Sequence, residues 1–166
     1  MINIITIGPT EGKAFKEKVG KLPSFVKIFH PECGHCTVLK PHWDNLIEEL
    51  KNNYTSTNDV AIVDIHADAL DDIDSNGLKN IQGYPTLRYI NNDTLIDEYN
   101  MSRTTENMLK YCIEKLNLKK KLHNIKGGKK RSKKSKRSKK SKKSKRSKRT
   151  KRSKRSKKSK RSKKSK

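Results

Sequence analysis

Along the first 118 residues, short apolar runs alternate with stretches in which apolar residues recur every three or four positions. Ile2 to Ile7 reads as a β-strand punctuated by Gly8-Pro9. Thr10 can cap a helix running to about Val19, with Phe15 and Val19 on one face, and Gly20 and Pro23 end it. Phe25 to Phe29 is β-rich and mostly apolar, which suits a central strand. Leu39, Trp43, Leu46, Ile47 and Leu50 then fall at helical spacing, with Pro41 inside the pattern as an expected kink. After a polar loop over Asn52 to Asp59, Val60 to Ile65 predicts a third buried strand and Asp71 to Asn80 a short helix. Thr86 to Ile90 and Thr94 to Tyr99 predict two strands joined by a tight turn at Asn91-Asn92-Asp93. A last helix starts near Thr104 or Thr105 with Met108, Cys112 and Leu116 on one face. It is expected to fray through Lys119–Lys121 and to be finished by Gly127-Gly128. The order βαβαβαββα implies an α/β fold with a mixed sheet, parallel where helices cross over, and helices on both faces.

Composition changes the picture at one end of the chain. Of 166 residues, 42 are Lys or Arg and 17 Asp or Glu, a formal charge of +25. Residues 129–166 consist of 26 Lys/Arg and 12 Ser/Thr and nothing else, whereas the first 128 residues carry a net charge of −1. The chain thus divides into a folded domain over 1–118, a linker over 119–128 and a basic tail over 129–166. Ser or Thr occupies every third position from 132 to 165, with two basic residues between. A segment without apolar residues cannot bury surface, so the tail is expected to be disordered and extended by its own charge. Helix is disfavoured there because like charges would meet at i, i+3 and i+4. No run of 18 apolar residues is present to span a membrane. Three cysteines do not make a disulfide scaffold. Met1 to Ile7 lacks a basic leading region and a cleavage site, and Lys-Lys-Ser-Lys is not an ER-retention signal, so neither address is expected.

The sharpest chemical feature is Cys33-Gly34-His35-Cys36, after a buried strand and at the opening of a helix. The thiolate is the nucleophile in thiol–disulfide exchange, and an ordinary cysteine with a pKa of about 8.5 is only a few per cent ionised at neutral pH. Unpaired N–H groups and the dipole at a helix N-terminus stabilise an anion, and a protonated His35 adds positive charge. Two residues between the cysteines leave both sulfurs close enough to bridge. Cys33, at the exposed end, is the expected attacker and Cys36, one turn deeper, the resolver. Two other readings stay open. The pair is also half of a zinc site, with His30 and His42 beside it, or it is an inert buried pair. Redox chemistry is preferred, with no metal and no cofactor. Cys112, on the apolar stripe of the last helix, is read as a core residue.

Val26-Lys27-Ile28-Phe29-His30-Pro31-Glu32-Cys33-Gly34-His35-Cys36, with Leu39, Pro41 and Trp43, resembles the active-site segment of the protein disulfide isomerase branch of the thioredoxin superfamily. Val60 to Asp64, Gly83-Tyr84-Pro85-Thr86-Leu87 and Tyr99 to Thr104 agree with it in order and spacing. The resemblance covers roughly residues 1–118 and implies a thioredoxin fold. It also implies a cis-proline at Pro85, facing the cysteines, with Tyr84 as a substrate-binding position whose backbone pairs with an extended substrate. By the same resemblance Arg103 swings toward the buried cysteine and lowers its pKa.

Two positions depart from the family pattern. Glu32 replaces an aromatic residue, and its carboxylate is expected to raise the pKa of Cys33. Lys27 stands where the family has a buried acid that relays a proton to or from the resolving cysteine. It could act as a base, or snorkel its amine to the surface without a role, and the second reading is preferred. The resemblance implies a thiol–disulfide oxidoreductase acting on protein thiols and disulfides. The Gly-His dipeptide implies an oxidase or isomerase bias, since disulfide isomerase has a potential near about −180 mV against about −270 mV for thioredoxin. The tail points to nucleic acid or another polyanion, bound through the backbone alone because no aromatic residue is there to stack on bases. Phosphorylation of its Ser and Thr residues would nearly cancel its charge. A redox module with such a tail resembles products of very large DNA viruses, which places it in a virion or a nucleic-acid-associated intracellular compartment, as a monomer. The alternative is a packaging protein whose folded part is a non-catalytic adaptor.

Overall fold

The computed structural model describes residues 1–122. The linker beyond residue 122, His123, Gly127-Gly128 and the basic tail lie outside the described residues. The elements are β1 (Ile2–Ile7), a 3₁₀ turn (Gly12–Ala14) running into α1 (Phe15–Lys18), β2 (Ser24–Phe29), α2 (Gly34–Asn53), β3 (Tyr54–Thr55) and β4 (Val60–His66). After two 3₁₀ segments (Ala67–Asp72 and Asn76–Leu78) come β5 (Thr86–Asn91), β6 (Thr94–Glu98), α3 (Thr105–Lys115) and β7 (Lys119–Lys120). Five strands form one sheet in the order β1-β4-β2-β5-β6, parallel across β1, β4 and β2 and antiparallel across β2, β5 and β6. This is the thioredoxin fold that the sequence implies.

The strand period of two sorts the core onto two faces. Phe25, Ile62 and Leu87 face the layer of α2 and α3, where they meet Trp43, Leu46, Met108 and Cys112. Val26, Ile28, Val63, Ile65 and Ile90 face the other layer, where they meet Phe15, Val19 and Leu78. Lys27 and Asp64 share the parity of Phe25 and Ile62, so both point toward α2. The Lys27↔Asp64 register of the parallel β2/β4 pair sets them side by side.

Four expectations are corrected. Thr10 does not cap a long helix. The Glu11 carboxylate instead accepts the N–H of Gly8 at 2.9 Å and closes a turn. Buried Gly12 lies so close to the Ala69 carbonyl that a Cβ there would sit 2.4 Å from it. Only Phe15–Lys18 is α-helical. In place of the helix expected over Asp71–Asn80 there are only the 3₁₀ segments Ala67–Asp72 and Asn76–Leu78, with no α-helix between β4 and β5. The carbonyls of Gly77, Lys79 and Asn80 accept from the Arg88 guanidinium at 3.2, 2.7 and 3.2 Å, so they are taken by a side chain on β5 rather than by a helical ladder.

The last helix is capped by Thr104, whose Oγ1 accepts from Asn107 N, but it does not fray through the lysines. Asn117 turns the chain with φ 52°, Leu118 donates back to the Ile113 carbonyl at 3.0 Å, and Lys119–Lys120 pairs with β3. That strand pair also occupies part of the segment expected to be a polar loop.

Candidate active site

Cys33 is the N-cap of α2. Its backbone is extended (φ −83°, ψ 113°), its carbonyl receives the N–H of Thr37 at 3.1 Å, and its sulfur accepts the N–H of Cys36 at 3.3 Å. The strand-to-helix junction therefore presents one sulfur to the free N–H groups of the first turn. Cys33 is partly exposed and Cys36, 9% exposed, is buried; both are free thiols.

The surroundings drive the two sulfurs apart. The Cys33 thiol is held below its ordinary value, first by the hydrogen bond from Cys36, then by the backbone N–H groups of Cys36 and His35 and by the charge of Arg103, against a cost of desolvation. Burial pushes Cys36 up to about 11, and donation to the Cys33 sulfur adds to the rise. His35 thus acts on Cys33 through its main chain. The exposed Glu32 is not among the groups that move Cys33, and the net shift is opposite to the one expected of it.

The Tyr84–Pro85 peptide bond is cis, and the Cys33 thiol lies 3.3 Å from the Tyr84 carbonyl, toward which it donates. Tyr84 is 37% exposed and its ring stacks on His30 with centroids 6.1 Å apart. Arg103 donates to the Pro85 carbonyl at 3.0 Å. In this structure its charge bears on Cys33 and is not among the groups acting on Cys36, the sulfur it was expected to serve. The structure thus gathers Cys33, Cys36, Tyr84, Pro85 and Arg103 around one junction. The Thr105 hydroxyl lies 3.5 Å from His42 Nδ1 and donates to the His42 carbonyl at 3.0 Å. No group of three or more His, Cys, Asp or Glu side chains converges on a metal position among the described residues. Cys112 is fully buried in the core, which drives its thiol far above the ordinary range.

Lys27 overturns the preferred reading of its sequence position. It does not snorkel: the side chain is buried, with Nζ 3.0 Å from Asp64 Oδ2 and over the rings of Phe29 and Trp43 at 4.8 and 5.0 Å. Asp64 is a site residue that the sequence reading did not single out. A lone carboxylate in the apolar run Val60-Ala61-Ile62-Val63-Asp64-Ile65 was the available signal. Desolvation raises its pKa, and the Lys27 charge opposes the rise.

A family model described as thioredoxin matches residues 6–114. Among curated proteins, protein disulfide-isomerase 1 of Dictyostelium discoideum is 28% identical over 109 residues, 66% of this chain and 29% of that protein. A protein disulfide-isomerase of Medicago sativa is 31% identical over 112 residues, 67% of this chain and 20% of that one. The chain therefore spans less than a third of the length of these relatives. Among solved structures, the J-Trx1 fragment of ERdj5 superposes with a TM-score of 0.52 at 21% identity, over 69% of this chain and 52% of the other. Human ERp44 form I gives 0.53 at 19%, over 69% and 29%. Both structural likenesses speak for the fold. With two thiols at the end of a central strand and the family model matched across most of the described residues, the chain belongs to the thioredoxin family and is related to disulfide isomerase-like oxidoreductases.

Proposed function

We propose that the chain is a thiol–disulfide oxidoreductase, biased toward oxidation and isomerisation of protein disulfides and tethered to a polyanion by residues 129–166. The observation that carries the enzymatic reading is the opposed tuning of two sulfurs one helical turn apart: Cys33 is lowered by donors and Cys36 is raised by burial. In the reducing direction the Cys33 thiolate attacks a substrate disulfide, forming a mixed disulfide and releasing the first substrate thiolate. The Cys36 thiol loses its proton and attacks Cys33, the bond to substrate breaks, and the second thiolate leaves. The pair is now oxidised and the substrate reduced by the same two electrons. Oxidation of substrate runs the steps backward.

A stabilised Cys33 thiolate favours the reduced pair and makes its disulfide the better oxidant, which supports the bias. Tyr84 and Pro85 are assigned to an extended substrate chain beside Cys33, supported by the Tyr84 carbonyl at 3.3 Å from that sulfur. The expected result is that Cys33→Ser abolishes both insulin reduction and the refolding of reduced ribonuclease. Unchanged rates would overturn the enzymatic reading in favour of an adaptor.

The tether rests on 26 positive charges in 38 residues. Contacts by some 6–10 of them would give sequence-independent affinity that falls steeply with salt. The full chain is expected to retain DNA at low salt and release it at high salt. Retention by a chain ending at residue 128 would overturn the assignment.

A further inference from the structure

A cavity of about 400 Å³ lies behind the cysteine pair, and Lys27, Phe29, His30, Cys36, Lys40 and Asp64 are among its walls. It brings the resolving thiol and a carboxylate to one space. Asp64 spends only one of its oxygens. Oδ2 pairs with Lys27 at 3.0 Å, while Oδ1 is buried without a protein hydrogen-bond partner. An ionised carboxylate has acceptor capacity on both oxygens, so a bare Oδ1 on a residue of the cavity wall is an acceptor in reserve.

We propose that Asp64 accepts the proton that Cys36 gives up when it resolves the mixed disulfide, with Lys27 keeping that carboxylate ionised. The proposal rests on the thiol–disulfide reading above and names the group that serves its second step. The need for an acceptor is physical. A thiol pushed up to about 11 is ionised in roughly one molecule in ten thousand at pH 7, so its attack requires somewhere for the proton to go. The balance is simple. The Cys36 S–H bond breaks and its proton passes across the shared cavity wall to the Asp64 carboxylate. The Cys36–Cys33 bond forms, and the Cys33–substrate bond breaks with the electron pair leaving on substrate sulfur. No other reactant enters.

Lys27 makes the acceptor usable. Burial raises the Asp64 pKa, whereas the ammonium 3.0 Å away favours the carboxylate. The other charged groups bearing on Asp64 come from α2: Asp44, which raises its pKa, and Lys40, which lowers it; His30 and Cys36 share the cavity wall. Lys27 thus occupies the strand position where the resemblance implies an acid, and the acid stands one strand over.

The test uses the reduced full chain and the disulfide reagent 5,5′-dithiobis(2-nitrobenzoic acid) in stopped flow. A first, bimolecular release of thionitrobenzoate reports Cys33. A second, unimolecular release reports attack by Cys36 on the mixed disulfide. In the parent protein the second rate is expected to change little between pH 7 and 8.5. In Asp64→Asn it is expected to fall about tenfold at pH 7 and to climb about tenfold per pH unit, following thiolate alone. Lys27→Met with Asp64→Asn removes both charges, leaves neither buried without its partner, and is expected to show the same slow, steep second release; it carries the decision if the single variant unfolds. A second phase with parental rate and pH profile in these variants would overturn the role of Asp64. Failure of the underlying oxidoreductase reading would look different: no fast release from Cys33 and no two-phase behaviour in the parent.

Discussion

Two cations are buried on neighbouring strands of one sheet, and they are treated in opposite ways. Arg88 on β5, 4% exposed, lies on the face of Val26 and Ile90. Four of its N–H groups donate, to the carbonyls of Gly77, Lys79 and Asn80 and from Nε to the Glu98 carboxylate, which also pairs with Nη2 at 3.0 Å. Lys27 on β2, 5% exposed, lies on the opposite face. It has one carboxylate and two aromatic rings, and its carboxylate partner keeps an oxygen bare. Both pay desolvation. Arg88 converts it into architecture, because the loop between β4 and β5 is wound around the guanidinium. Lys27 and Asp64 leave theirs incompletely satisfied beside a thiol, the condition in which a buried charge can take part in proton transfer.

The contrast can be broken by substitution. Arg88→Met is expected to have the largest effect on stability, a loss of about 3–5 kcal/mol in urea unfolding, since three loop carbonyls and Glu98 lose their donor together. Its Cys33 chemistry should survive in the molecules that remain folded, and loss of that chemistry without loss of stability would erase the distinction between the two cations. Lys27→Met with Asp64→Asn should go the other way. Removing both charges is expected to leave stability nearly unchanged in the same unfolding, since relief of ion desolvation offsets the cost of a buried amide, and a large loss would mean the pair is structural like Arg88.

The site can be sharpened by pH. Cys33 lies below the ordinary thiol value and Cys36 near 11, so alkylation by iodoacetamide should label Cys33 at pH values where an ordinary thiol is largely protonated, and Cys36 only as the pH approaches 11. Mass spectrometry of the peptides decides it, and equal labelling at pH 7 would remove the basis for attacker and resolver. The smallest effect is expected at the Lys115–Asp97 pair, 31% and 40% exposed. There Lys115→Ala should shift the urea midpoint only slightly, and the shift should shrink in high salt.

The parts of the fold that read well from the chain are those whose burial shows as a local pattern. The apolar runs at Ile2–Ile7, Phe25–Phe29, Val60–Ile65 and Thr86–Ile90 are strands, and the helical spacing from Leu39 to Leu50 lies within α2. The parts that failed are held by groups distant in sequence. Nothing in Asp71–Asn80 announces that Arg88 will take its carbonyls, and nothing in Lys119–Lys120 announces Tyr54–Thr55 as a partner. At the site the two cysteines were plain from their spacing and position. Asp64 was not, because a carboxylate in a strand gains meaning only from the side chain across the register.

By itself the sequence determined the order of the five strands of the main sheet, the placement of a cysteine pair where a central strand passes into a helix, and the segregation of positive charge into the last 38 residues. All three follow from local periodicity, helix-end chemistry and composition, which act within a few residues. The tertiary structure alone decided which charges meet inside. Whether Lys27 reaches solvent or a carboxylate, and whether Arg88 winds a loop, depends on strand register and on the depth of the sheet. Those are fixed only when segments dozens of residues apart pack together and exclude water from the charges between them.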